Sequence, residues 1–140
     1  MRLDSFMTQP KSRLLGCLLG GAVGDALGAP GEGIRTLSGI FDAFGAQGIT
    51  DMYPYISPWE KVAQSGIGAV TDDTTMCLTT LAALLMARNN YKRARYLSWQ
   101  GYLNWGRYQE GGEELAAHID FSVNWPDEIK PFWFGCGAGR

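Results

Sequence analysis

Apolar residues crowd the stretch from Lys11 to about Ala29, where Leu14, Leu15, Leu18, Leu19, Ala22, Val23, Ala26 and Leu27 cover more than one face of a helix. A helix that is apolar nearly all round belongs in an interior, so this first element is predicted to be buried centrally. Gly16, Gly20, Gly24 and Gly28 recur every fourth residue and form one stripe along which another backbone can approach closely. Pro30 biases Ala29 away from helical dihedrals and ends the element.

A second helix is predicted from Asp72 to about Arg88, with Leu78, Leu81, Ala82, Leu84 and Leu85 on its buried side and Asn89-Asn90 closing it. A third runs from Tyr91 to about Tyr108, and its aromatics Tyr91, Tyr96, Trp99, Tyr102, Trp105 and Tyr108 are expected to build a thick helix–helix contact. Gly111-Gly112 then sets off a short helix through His118. Between the first two helices, Gly31 to Gly68 is broken by glycines and prolines and reads as a long ordered connection or the rim of an active site. Phe41, Phe44, Tyr53, Tyr55 and Trp59 in that stretch suit core packing, with stacking on an adenine ring as the functional alternative. No strand pattern or internal repeat competes, so the fold class is all-α.

Composition narrows the picture to one ordinary domain spanning residues 1–140: 46% hydrophobic and 19% charged positions suit a soluble globular chain with a single core. A net charge of -2 gives no broad electrostatic reason to bind nucleic acid or an anionic membrane. Arg88, Lys92, Arg93 and Arg95 cluster around the predicted interhelical turn and read as a solvated face. Cys17, Cys77 and Cys136 are odd in number and widely spaced, which describes no disulfide framework and fits a reducing compartment. Cys17 and Cys77 lie in apolar helical patterns and are expected to pack as small hydrophobes. With one histidine, His118, zinc arrays and Cys-His catalysis are unsupported. Leu14-Leu15-Gly16-Cys17 resembles a lipoprotein box, but the cysteine precedes most of the apolar segment and Asp25 interrupts it, so the expectation is a soluble, cytoplasmic protein with no membrane partner.

Two acidic elements carry the candidate chemistry. Thr71-Asp72-Asp73-Thr74 sets adjacent carboxylates between hydroxyls where a loop becomes a helix. Thr71 suits an N-cap and the aspartates suit the helix dipole, so a purely structural reading is available. The same oxygens suit a hard divalent cation. Upstream, Asp25 lies in a nearly all-apolar helix, where a carboxylate requires an Arg, a backbone donor, or a hydrated cation and ligand hydroxyls. Glu32 follows the breakers Pro30 and Gly31 on a loop that is able to move relative to the helix.

With Gly24-Asp25-Ala26-Leu27-Gly28-Ala29-Pro30, Glu32, and Gly68 before Thr71-Asp72-Asp73-Thr74, the chain resembles the N-terminal part of the ADP-ribosylglycohydrolase family, which includes enzymes that remove ADP-ribose from dinitrogenase reductase. The resemblance runs from about Leu14 to Ala117. It implies an all-helical bundle around a binuclear magnesium or manganese site, with Thr71, Asp72 and Asp73 as metal ligands. Glu32 inherits a gating and acid/base role, and Asp25, the other catalytic candidate, a role confined to site architecture. The implied reaction is hydrolysis of the glycosidic bond of an ADP-ribosylated protein or related ADP-ribose compound. Such cleavage develops oxocarbenium character and needs an activated water, demands that two cations and a carboxylate meet.

The resemblance also implies a longer protein whose second half supplies an Asp-x-Asp-Thr motif, and this chain has no such motif. Residues 118–140 depart from the pattern, with Asn124-Trp125-Pro126 and Phe132-Trp133-Phe134 as unusual apolar groups. The expectation is half of an enzyme, either shortened or completed by a complementing C-terminal half, with little hydrolase activity alone and a tendency to self-association. A non-catalytic helical remnant or structural, crystallin-like protein is the competing reading.

Overall fold

The computed structural model describes residues 4–55, 67–107 and 118–128. Among these residues four α-helices follow one another: α1 (Asp4–Gly28), α2 (Leu37–Phe44), α3 (Asp72–Ala87) and α4 (Tyr91–Arg107), with one 3-10 turn, Ala29–Gly31, after α1. Among the described residues there is no strand, only an isolated antiparallel bridge between Pro54 and Ile67. The all-α class is thus observed. The helices predicted from Asp72 and Tyr91 form where the periodicity places them, while α1 begins seven residues before Lys11. The short helix after Gly111-Gly112, together with Tyr108, Trp59, Cys136 and Phe132-Trp133-Phe134, lies outside the described residues.

Several boundaries have a local cause. Thr36 caps α2, its Oγ1 accepting from the Gly39 amide at 3.1 Å. The chain reverses between α3 and α4 through Arg88 (φ 48°) and Asn89 (φ 67°), both left-handed. Asn90 then starts α4 rather than closing α3, since its Oδ1 accepts from the Arg93 amide at 3.0 Å.

The core is an α3–α4 hairpin built on alanines. Ala82, Ala83, Ala87, Ala94 and Leu97 are buried together with Trp125, and Met86, Trp105 and Val123 pack around them. This corrects two expectations. Leu84 and Leu85 are 53% and 69% exposed, and the buried side of α3 instead carries Thr75 and Thr79 with the alanines. The threonine hydroxyls bond the carbonyls one turn back, Thr75 Oγ1 to Thr71 at 3.2 Å and Thr79 Oγ1 to Thr75 at 2.8 Å, which lets them be buried without polar loss. The aromatic helix–helix contact is met only in part: Trp105 packs against the core and the Tyr102 hydroxyl meets Thr80 Oγ1 of α3 at 2.5 Å, whereas Tyr91, Tyr96 and Trp99 of α4 are exposed.

Residues 118–128 fold back onto this hairpin. Buried Gln100 donates through Nε2 to the His118 carbonyl at 3.2 Å and accepts from the Asp120 amide at 2.6 Å. Trp125, an unusual apolar residue in the sequence, is a core residue seated against Gly101.

The central burial predicted for α1 is not observed. Leu14, Leu15, Leu19 and Val23 are exposed, Cys17 is an exposed free thiol like Cys77 on α3, and a Cβ at Gly16, Gly20, Gly24 or Gly28 would meet nothing within 4 Å. Among the described residues α1 docks at its C-terminal end, where Ala26 and then Ala29 are buried. Lys11–Gly31 meets the length and hydropathy needed to cross a membrane, with a mean hydropathy of 1.3, so Asp25 does not interrupt the stretch as expected; core helices of soluble proteins and signal sequences near an N-terminus meet the same criterion.

Candidate functional site

The Thr71-Asp72-Asp73-Thr74 turn is the N-terminus of α3, where the first amides of a helix have no intrahelical acceptor. Thr71 is the N-cap, with its Oγ1 accepting from the Asp73 amide at 3.3 Å. The stronger cap comes from a distant residue. Asp25 reaches across from the last turn of α1, and its Oδ2 accepts from the amides of Thr71 at 2.8 Å and Thr74 at 3.2 Å. Its two oxygens also accept from the hydroxyls of Thr71 at 2.6 Å and Thr74 at 2.5 Å. Of the partners open to Asp25 in the sequence, the structure selects backbone donors, supplemented by two hydroxyls.

Burial pushes the Asp25 carboxyl up, but the hydrogen bonds from Thr71 and Thr74 more than offset it and hold the group below its ordinary value. The carboxylate also lies at the positive end of α3, where an anion is favoured. Asp25 therefore serves as an architectural anion that joins two helices, and all its described contacts go to the α3 turn.

This arrangement decides what is left for chemistry. Asp72 and Asp73 are exposed, and among the described residues neither carboxylate accepts a hydrogen bond or meets a cation. The hydroxyl proton of Thr71 goes to Asp25, so its oxygen acts toward any other group as an acceptor, which is what a cation requires. One helical turn thus presents hydroxyl and carboxylate oxygens of the kind magnesium and manganese take. Their donor chemistry fits such an ion. Their number is short of the about six oxygens of a full shell, and among the described residues no three His, Cys, Asp or Glu side chains gather in one place.

Glu32 follows the 3-10 turn and is exposed, with its amide bonded to the Ala29 carbonyl at 3.0 Å. It does not join the α3 acids through any hydrogen bond among the described residues. It is held instead by Tyr55, whose hydroxyl donates to Glu32 Oε2 at 2.8 Å. Of the aromatics in the long connection, Tyr55 is buried, Phe44 meets Tyr53 edge-on at 5.0 Å between centroids, and Phe41 is largely exposed.

Two residues were not read from the sequence as partners of the acids, although Tyr55 is buried as its core-packing assignment expects. Thr74 gives Asp25 as many hydrogen bonds as Thr71 does, and its place three residues after an N-cap is the signal that identifies it. Tyr55 carries no local signal, because nothing in its neighbourhood points to a residue 23 positions away.

A family model described as ADP-ribosylglycohydrolase matches residues 7–139, a stretch that reaches beyond Ala117 into the segment read as divergent. No curated protein and no solved structure matches the chain.

Proposed function

The chain belongs to the ADP-ribosylglycohydrolase family, and on that premise we propose that it is a divalent-metal-dependent hydrolase of the glycosidic bond in ADP-ribosylated protein or a related ADP-ribose compound. Thr71, Asp72 and Asp73 hold one side of a magnesium or manganese centre, which is binuclear when complete. When bound, the metal supplies Lewis-acid polarisation and orientation of the ribose hydroxyls.

The observation that carries this reading is the division of labour at the start of α3. Asp25 satisfies the helix terminus, so the two exposed aspartates are not needed as its caps. Two adjacent carboxylates left uncommitted repel each other, and a cation relieves that repulsion. Glu32 takes the proton role, since among the described exposed carboxylates of the connection, Glu32, Asp42 and Asp51, it stands nearest in the chain to Asp25 and its helix. The remaining oxygen donors come from water, from substrate or from a complementing C-terminal half. A cytoplasmic location is consistent with Cys17 and Cys77 being free thiols.

Calorimetric titration with magnesium, then with ADP-ribose in its presence, tests the assignment. Binding by the unmodified chain that is lost in Asp72→Ala, with helical circular dichroism unchanged, supports it. No binding by a fully folded chain favours the non-catalytic, structural reading.

A further inference from the structure

Building on the acid/base role proposed for Glu32, we infer that Tyr55 is the positioning residue of that carboxylate. The backbone beneath Glu32 is already fixed. Glu32 N bonds the Ala29 carbonyl at 3.0 Å and Ile34 N the Gly31 carbonyl at 3.1 Å. Gly31 is wedged so closely that a Cβ there would meet Ile49 Cδ1 at 3.0 Å and Ile40 Cδ1 at 3.3 Å. The side chain is another matter. A glutamate on an exposed turn has several rotatable bonds, and holding it in one rotamer opposes a large side-chain entropy.

Tyr55 supplies that restraint. It is 6% exposed, so its ring is held by packing and its hydroxyl is delivered to a fixed point, 2.8 Å from Glu32 Oε2. The residue before it, Pro54, bridges to Ile67, which lies only four positions before Thr71. The chain that carries Tyr55 is therefore registered against the chain that leads into the α3 acids. Tyr55 fixes Glu32 on one side and is itself fixed relative to the candidate metal ligands on the other. The phenol occupies Oε2, leaving Oε1 as the oxygen that handles a proton.

The test is a cycle of the full chain, Tyr55→Phe, Glu32→Ala and the double variant, assayed for release of ADP-ribose from ADP-ribosyl-arginine with magnesium and, in parallel, for hydrogen exchange of the two bonded amides of the turn, those of residues 32 and 34. Tyr55→Phe keeps the ring and removes the donor. It is expected to lower kcat about tenfold with KM unchanged and to speed exchange about fivefold, the value of one hydrogen bond. Neither effect should appear when Glu32 is already alanine. Equal effects of Tyr55→Phe with and without Glu32, or none in either, overturn the inference. If Glu32→Ala retains full turnover, the acid/base reading fails while non-additive exchange still upholds the tie. If the unmodified chain releases no ADP-ribose, the exchange cycle alone decides between the two outcomes.

Discussion

Asp25 and Thr71 stand 46 positions apart in the chain and are bonded twice, amide to Oδ2 at 2.8 Å and hydroxyl to Oδ1 at 2.6 Å. Removing the carboxylate in Asp25→Ala strips the α3 terminus of a charged cap and is expected to lower stability by about 2 kcal/mol. Asp25→Asn is not expected to restore it, because an amide offers one acceptor oxygen and turns donors toward donors. Urea unfolding followed by circular dichroism checks both. A midpoint within error of the unmodified chain in either variant would sink the architectural role.

The exposed pair should behave in the opposite way. Asp72→Asn and Asp73→Asn each remove a charge from the first turn of α3 and a favourable dipole interaction of about 0.5 kcal/mol, and no described hydrogen bond is lost. Magnesium affinity, in contrast, should fall at least about tenfold, since each change removes a charged ligand. Parallel unfolding and titration curves separate the two quantities; a variant that unfolds early but still binds would reverse the assignment.

Along α3, alanines are buried where Leu84 and Leu85 are exposed. Ala83 is fully buried, whereas Leu85 is 69% exposed. Ala83→Leu is therefore expected to cost about 1–3 kcal/mol by overpacking, and Leu85→Ala to stay within about 0.5 kcal/mol. Gly101→Ala belongs with the first, because a Cβ there would drive into Thr79 and the Trp125 ring. Thermal unfolding of the three variants checks the ranking.

The tie between Tyr96 and Asp120 predicts a pH response. Tyr96 OH donates to Asp120 Oδ2 at 2.6 Å, and Ser122 donates to Oδ1 from its amide and its hydroxyl. The Asp120 carboxylate raises the phenol above its ordinary value, and the Ser122 and Tyr96 hydrogen bonds lower the carboxyl. The raised phenol contributes stability that is whole below the usual phenol range and lost as pH rises through the shifted value. The lowered carboxyl contributes stability that is whole above the usual carboxylate range and lost as pH falls through its own shifted value. Between those limits the tie is insensitive to pH. Ultraviolet titration of the phenols should show one tyrosine ionising earlier in Asp120→Asn, and an unchanged curve would count against the tie.

How much of this was legible beforehand follows from the range of each interaction. The start of α3 at Thr71-Asp72-Asp73 and the extent of α4 were readable because caps and periodicity act within a few residues. That Asp25 needed polar partners was also readable, since a carboxylate in an apolar helix requires them. Which partners it found was not, because a link over 46 positions has no local signature. Leu84 and Leu85 misled because composition marks an apolar residue without saying whether another element covers it. Thr75 and Thr79 stayed hidden because a hydroxyl returned to its own helix behaves as an apolar surface. Burial of α1 failed for the same reason as that of the leucines: hydrophobicity states what a helix can bury, and only neighbours decide whether it does.

The tie from α1 to α3 also predicts an order of assembly. The α3–α4 hairpin closes through the three residues between Ala87 and Tyr91, so its nucleus is short-range and quick to form. Joining Asp25 to Thr71 closes a far longer loop, whose entropy must be lost before any hydrogen bond is gained. On that order the acidic turn is expected to form on the hairpin before its anchoring anion arrives, so stopped-flow measurements on Asp25→Ala should show faster unfolding and an almost unchanged folding rate.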